Sequence, residues 1–116
     1  MKFKEIFTLT RPDTSVPFNP ESSVFHVQSE SDWTTAVIRQ HFTENYINTG
    51  KCELITDSVS LSDDNLTLTY TTMFLSEEAI SDLYNDPFIQ DDLAIRMDYW
   101  ETNNIITDTD MTPIVE

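Results

Sequence analysis

Glycine occurs once in this 116-residue chain, at position 50, and that scarcity excludes much. Phosphate-cradling loops and dinucleotide fingerprints need several glycines so that backbone amides can approach the phosphates. A nucleotide enzyme of those types is therefore not expected, and the sequence calls for no cofactor. Cysteine is equally scarce: Cys52 is alone, so no internal disulfide can form, and a lone cysteine at a strand start reads as a packing residue. Apolar runs are short, far below the ~18 residues that span a bilayer. The opening MKFKEIFTLT alternates charged and apolar residues where a signal peptide needs a continuous apolar region. A soluble, cytoplasmic protein with no membrane partner is expected.

Positive charge is the fourth scarcity. Six Lys and Arg face 21 Asp and Glu, a formal net charge of −15. The imbalance is uneven: residues 1–51 carry five basic against six acidic side chains, and residues 52–116 carry Arg96 alone against fifteen. Such a field repels phosphate rows and anionic membranes, which excludes direct nucleic-acid binding and leaves solubility, a basic protein partner, or imitation of a nucleic acid as its uses.

What is present is well punctuated. Phe3–Thr10 alternates as a strand, with Phe3, Phe7 and Leu9 on one face and Lys4, Ile6, Thr8 and Thr10 on the other. Residues 11–23, with three of the five prolines, read as a long surface loop suited to partner contact, and Val24–Val27 as an edge strand or an anchor for that loop. A helix is expected from Ser29, Ser31 or Asp32 to about Asn48, with the stripe Trp33, Val37, Ile38, His41, Phe42 and Tyr46, and Gly50 at its left-handed terminus. Lys51–Leu61 and Leu66–Leu75 then read as a hairpin closed by Ser62, Asp63, Asp64 and Asn65. Ile55, Val59, Leu61, Leu66, Leu68, Tyr70 and Phe74 face the core, and Thr67, Thr69 and Thr71 form a half-polar ladder behind.

Two helix starts follow, at Ser76 and at Asp86-Pro87. The second helix carries the stripe Ile89, Leu93, Met97 and Trp100, with Asp92 and Arg96 as a surface ion pair worth about 0.3–0.5 kcal/mol. Ile105–Thr107 is a possible last strand. The domain is set at residues 1–107, and 108–116 is expected to be a loose tail.

The candidate chemistry is thin. His41 on an apolar stripe is either a general base or a hydrogen-bonded core histidine, the second reading being favoured. His26, His41 and Cys52 make no zinc pattern, and the pairs Asp63/Asp64, Asp91/Asp92 and Asp108/Asp110 lack the spacing of a calcium loop, so no metal is expected. Tyr84, Tyr99 and Trp100 line either a pocket or the core. If a pocket exists between sheet and helices, its candidates are His41, Tyr70 and Trp100.

The element order strand, helix, two strands, helix, strand suits an antiparallel sheet with helices on one face, the ferredoxin-like two-layer α+β sandwich. With SEEAISDLYNDP after the hairpin, the chain resembles the dimeric α+β-barrel superfamily. That resemblance implies a homodimer. The RPDTSVPF stretch, in a Thr- and Asp-rich chain, is similar in style to small proteins of tailed bacteriophages. The leading expectation is a phage-encoded, noncatalytic interaction or assembly protein acting as a homodimer. The alternatives are a small-molecule enzyme or binder of the barrel kind, and an acidic nucleic-acid mimic that inhibits a host protein.

Overall fold

The computed structural model describes residues 1–53 and 58–115; Ile55, expected in the core, lies outside the described residues. Strand β1 (Lys2–Thr10) is central. On one side it pairs antiparallel with β4 (Thr67–Phe74), on the other with β5 (Ile106–Ile114). The short strands β2 (Cys52–Glu53) and β3 (Val59–Leu61) both pair with β4 on its far edge. With β2 and β3 as one interrupted arm, the order is that arm, β4, β1, β5, which is the ferredoxin-like arrangement.

Register sorts the side chains. Phe3, Glu5, Phe7 and Leu9 of β1 stand beside Phe74, Thr72, Tyr70 and Leu68 of β4, and beside Pro113, Met111, Thr109 and Thr107 of β5. This is the inner face, and the helices pack on it alone: Ile38 and Trp100 join Leu9, Val59 and Leu68 in one core cluster, while Tyr46 and Ala79 join Phe74 and Cys52 in another. The outer face carries Lys4, Ile6 and Thr8 opposite Met73, Thr71 and Thr69. Among the described residues no helix is long and apolar enough to cross a membrane.

The tail does not hang loose. Ile106–Ile114 runs the full length of β1, from Thr10 opposite Ile106 to Lys2 opposite Ile114. Hydrophobic alternation misses this strand because it lies at the edge of the sheet and is mostly exposed. Its β-branched threonines favour extended backbone, and Pro113 is tolerated because an edge strand need not donate on both sides. Asp108 and Asp110 on this edge discourage pairing with another chain.

The expected single helix after residue 29 is three pieces. Helix α1 (Glu30–Trp33) stops, α2 (Val37–Phe42) restarts, and a π-helical turn (Thr43–Ile47) continues it to Gly50, whose φ of 78° is the left-handed value anticipated there. Val37 is 62% exposed and so leaves the expected stripe. Between α1 and α2, Thr35 and Ala36 donate back to Asp32 and Trp33 in turns, and Ile38 N–H is taken by Val24 O at 3.1 Å. Downstream, Ser76 caps α3 (Glu77–Tyr84) through Ala79 N–H at 3.1 Å, and Asp86 caps α4 (Pro87–Thr102) through Phe88 N–H at 2.9 Å, as the two start signals require.

Most of the proline-rich loop is on the surface as expected, but parts of it and of the segment after it turn inward. Phe18, Asn19 and Val27 are fully buried and Ser23 and Phe25 nearly so. Proline-fixed backbone lets these side chains enter the core without a strand, a choice no period of two or 3.6 reveals. Asp92 holds the loop: it accepts from Ser23 Oγ, Val24 N–H and Arg96 Nε, each at 2.9 Å. The Asp92–Arg96 pair is therefore buried, with side chains 5% and 8% exposed, where the sequence reading places it on the surface. Spacing gives the pairing along a helix, but depth comes from what covers it, here Phe25 and Trp100 against the guanidinium at 4.8 and 5.6 Å. Removing one partner of a buried pair strands the other charge. Asp92→Ala is expected to cost about 3–5 kcal/mol in urea unfolding, against less than 1 kcal/mol for Asp91→Ala, roughly the level of an exposed substitution.

Candidate functional site

The two core clusters are separated on the inner face by a polar row. Between the Phe3–Phe74 and Phe7–Tyr70 rows lies Glu5 opposite Thr72, and a carboxylate between phenylalanines on the inner face of a central strand is costly unless it is used. A cavity of about 940 Å³ opens over this row. Its sheet wall is Glu5, Phe7, Tyr70 and Thr72, and its helix wall draws on Phe42 and Ile47, Leu83 and Tyr84, and Ile89, Leu93, Arg96 and Trp100. At the β5 side the lining is Thr107 and Thr109, both exposed, so there the cavity meets solvent.

Each helix contributes for a local reason. The π-helical turn widens the backbone and brings Thr43 and Ile47 to the lining together with Phe42 of α2. The kink at Asp86-Pro87 turns α4 relative to α3, so that Tyr84 and Ile89 reach the same cavity from either side of it. Trp100 is fixed by Nε1 donating to Phe18 O at 2.9 Å and by its ring lying 5.6 Å from Phe7. Tyr70 stacks on Phe7 at 5.7 Å and accepts from Asn19 Nδ2 at 3.2 Å.

The electrostatics follow from burial. Desolvation pushes the Glu5 carboxyl up to about 7, and Tyr84 donates to its Oε2. Near neutrality Glu5 is thus present both as acid and as base, the condition a proton-transferring group needs. Burial also raises the Tyr70 phenol and lowers the Arg96 guanidinium, the latter opposed by Asp92. Cys52 is 2% exposed and its thiol is pushed up to about 12, chiefly by burial, so it packs and is not a nucleophile.

Of the three residues singled out by sequence, Tyr70 and Trp100 reach the cavity and His41 does not. The His41 ring stacks on Phe88 at 4.1 Å, and its Nε2 lies 2.6 Å from Asp86 Oδ2, which Tyr46 Oη also meets at 2.6 Å. Burial works against the Asp86 charge, but the bonds from Tyr46, His41 and Phe88 N–H outweigh it and hold its carboxyl below the usual range. The cluster clamps the α2 segment to the start of α4. Tyr84 lines the cavity as well; Tyr99 points away, donating to Pro17 O at 2.6 Å. Glu5 and Arg96 are the site residues that sequence reasoning missed. Both left a signal: Glu5 is in phase with Phe3, Phe7 and Leu9, and Arg96 is the sole basic residue after Lys51.

No protein-family model and no curated protein sequence matches the chain. Two solved structures share its fold. One is a proposed antibiotic biosynthesis monooxygenase from Deinococcus radiodurans, at TM-score 0.54 and 13% identity over 98% of this chain and 93% of that one. The other is a dimeric ferredoxin-like protein from an uncultured marine organism, at TM-score 0.52 and 10% identity over 99% and 96%. At these identities the likeness is one of fold.

Glu5 makes a prediction with a defined sign. Its folded pKa lies above its unfolded value, so the folded state holds the proton more tightly, and the stability it contributes is complete below about 4.5 and is lost as pH rises through about 7. Glu5→Gln removes that loss. The variant is expected to gain on the wild type between pH 5 and pH 8 by on the order of 1–2 kcal/mol, discounted for partial exposure, in urea unfolding at the two pH values.

Proposed function

We propose that this protein binds an apolar small molecule in the cavity between the inner sheet face and the helices, with Glu5 as the group that exchanges a proton with it. The carrying observation is the cavity itself: about 940 Å³, with aromatic and aliphatic side chains making up more of its wall than the polar and charged ones set among them. Its size suits a molecule of several fused or linked rings. A sealed core would close this space and would not place a carboxyl in it.

The proton-exchange role rests on Glu5 alone. A carboxyl tuned to about 7 can take a proton from a bound molecule and return it at physiological pH, which a carboxyl in water does poorly. His41, bound to Asp86 outside the cavity, has no part in this reading. The fold likeness to a proposed monooxygenase is compatible with an enzyme. Quenching of tryptophan fluorescence by N-phenyl-1-naphthylamine, a neutral apolar probe, tests the site. Saturable binding that Leu93→Trp weakens by about tenfold or more is expected, since the larger side chain fills the cavity; unsaturable binding, or binding indifferent to the substitution, contradicts it.

A second reading, the homodimer, has its own support. The outer sheet face carries Ile6, Thr8, Thr69 and Thr71 and no helix covers it among the described residues, while one fold neighbour is described as dimeric. Packing two such faces together would serve the interaction role that the sequence favours. Light scattering at high micromolar concentration is expected to give twice 13.4 kDa, and Thr69→Glu, which buries a charge in that contact, to return the mass to 13.4 kDa.

A further inference from the structure

The cavity reading does not by itself say what chemistry the ligand carries, but Arg96 does. Its residue is 6% exposed, its Nε is spent on Asp92 at 2.9 Å, and its guanidinium face lies against Phe25 and Trp100. Among the described residues its two Nη atoms make no hydrogen bond, yet Arg96 lines the cavity. With no protein acceptor, the four N–H donors of that edge are open to a ligand in the cavity or to water. Tyr70 lies nearby on the same lining, and because its oxygen accepts from Asn19 Nδ2, its own proton is available to an acceptor.

Resting on the cavity reading, we infer that the ligand is a neutral, largely aromatic compound with an acceptor oxygen, of the ketone or quinone class, seated with that oxygen on the free edge of Arg96 and the hydroxyl of Tyr70. Neutrality follows from the charges present. The Arg96 charge is already matched by Asp92, and Glu5, Glu30 and Glu53 on the lining outnumber the one further cation there, Arg39. A carboxylate or phosphate would meet a surplus of negative charge, whereas a carbonyl takes two donors at no such cost. The flat rings then lie among Phe7, Phe25, Tyr70 and Trp100. Glu5, diagonal to Tyr70 across the β1–β4 pair, is about 7–8 Å from it by strand geometry, a distance that an aromatic ketone spans.

Three probes of one shape separate the possibilities: 2-acetylnaphthalene, 2-ethylnaphthalene and 2-naphthoate, titrated into the full chain at pH 8 and followed by protein-observed NMR. The ketone is expected to bind about tenfold tighter than the hydrocarbon and tighter than the carboxylate. Arg96→Lys keeps the charge that Asp92 needs but removes the fork, and should bring ketone and hydrocarbon to within about threefold of each other. Tyr70→Phe, which leaves the ion pair intact, should lower the same ratio and serves if the lysine variant does not fold. Equal binding of ketone and hydrocarbon by the wild type, or an unchanged ratio in both variants, overturns the inference while leaving the cavity reading intact. Tighter binding of naphthoate overturns the neutrality. If none of the three binds, the cavity reading and the inference fall together.

Discussion

Asp92 is the constraint on which the rest of the structure depends. One buried carboxylate takes Ser23 Oγ and Val24 N–H from the proline-rich loop and Arg96 Nε from its own helix. Without it the loop has little reason to enter the core, since a segment of Pro, Ser and Asn is ordinarily solvated. With it, Phe18, Phe25 and Val27 become core residues, and Phe18 O becomes the acceptor that fixes Trp100. The same bond orients Arg96, leaving its other donors toward the cavity. Folding and site are therefore coupled through a single carboxylate, and a change there alters both.

The sheet obeys a different logic. Its inner face is apolar at both ends and polar in the middle, where Glu5 faces Thr72, and the two core clusters stand on either side. An apolar residue at position 5 would join them. The carboxyl instead keeps a space open at a cost in stability that grows with pH, a pattern expected where function and stability compete. The charge surplus has a related effect: with −15 over the whole chain, an anion is opposed in the cavity.

Most of the fold was legible in sequence because its signals are local. The caps at Ser76 and Asp86, the hairpin loop 62–65 and the alternation of β1 each act within a few residues, and together they imply the order of a ferredoxin-like sandwich. What could not be read depends on distant partners. Strand β5 has almost no buried side chain and exists because β1 offers it an edge. The break between α1 and α2 depends on Val24 O, and the depth of Asp92 on Phe25. In the site, Tyr70 and Trp100 could be placed from periodicity alone. Glu5 and Arg96 could not, since a charged side chain in phase with apolar neighbours is ordinarily taken as solvated, and only the packed structure distinguishes a buried charge from a surface one.

Glu5 reports directly whether the middle of the inner face is a shielded cavity. Carbon-detected NMR titration of the glutamate side-chain carboxyls of the intact protein, with Glu5 assigned by Glu5→Gln, measures its ionisation in place. A midpoint of about 7, moving upward when 2-acetylnaphthalene fills the space, is the predicted result. A midpoint near 4.5, unmoved by the probe, would mean that water reaches Glu5 freely and that no shielded cavity lies over it.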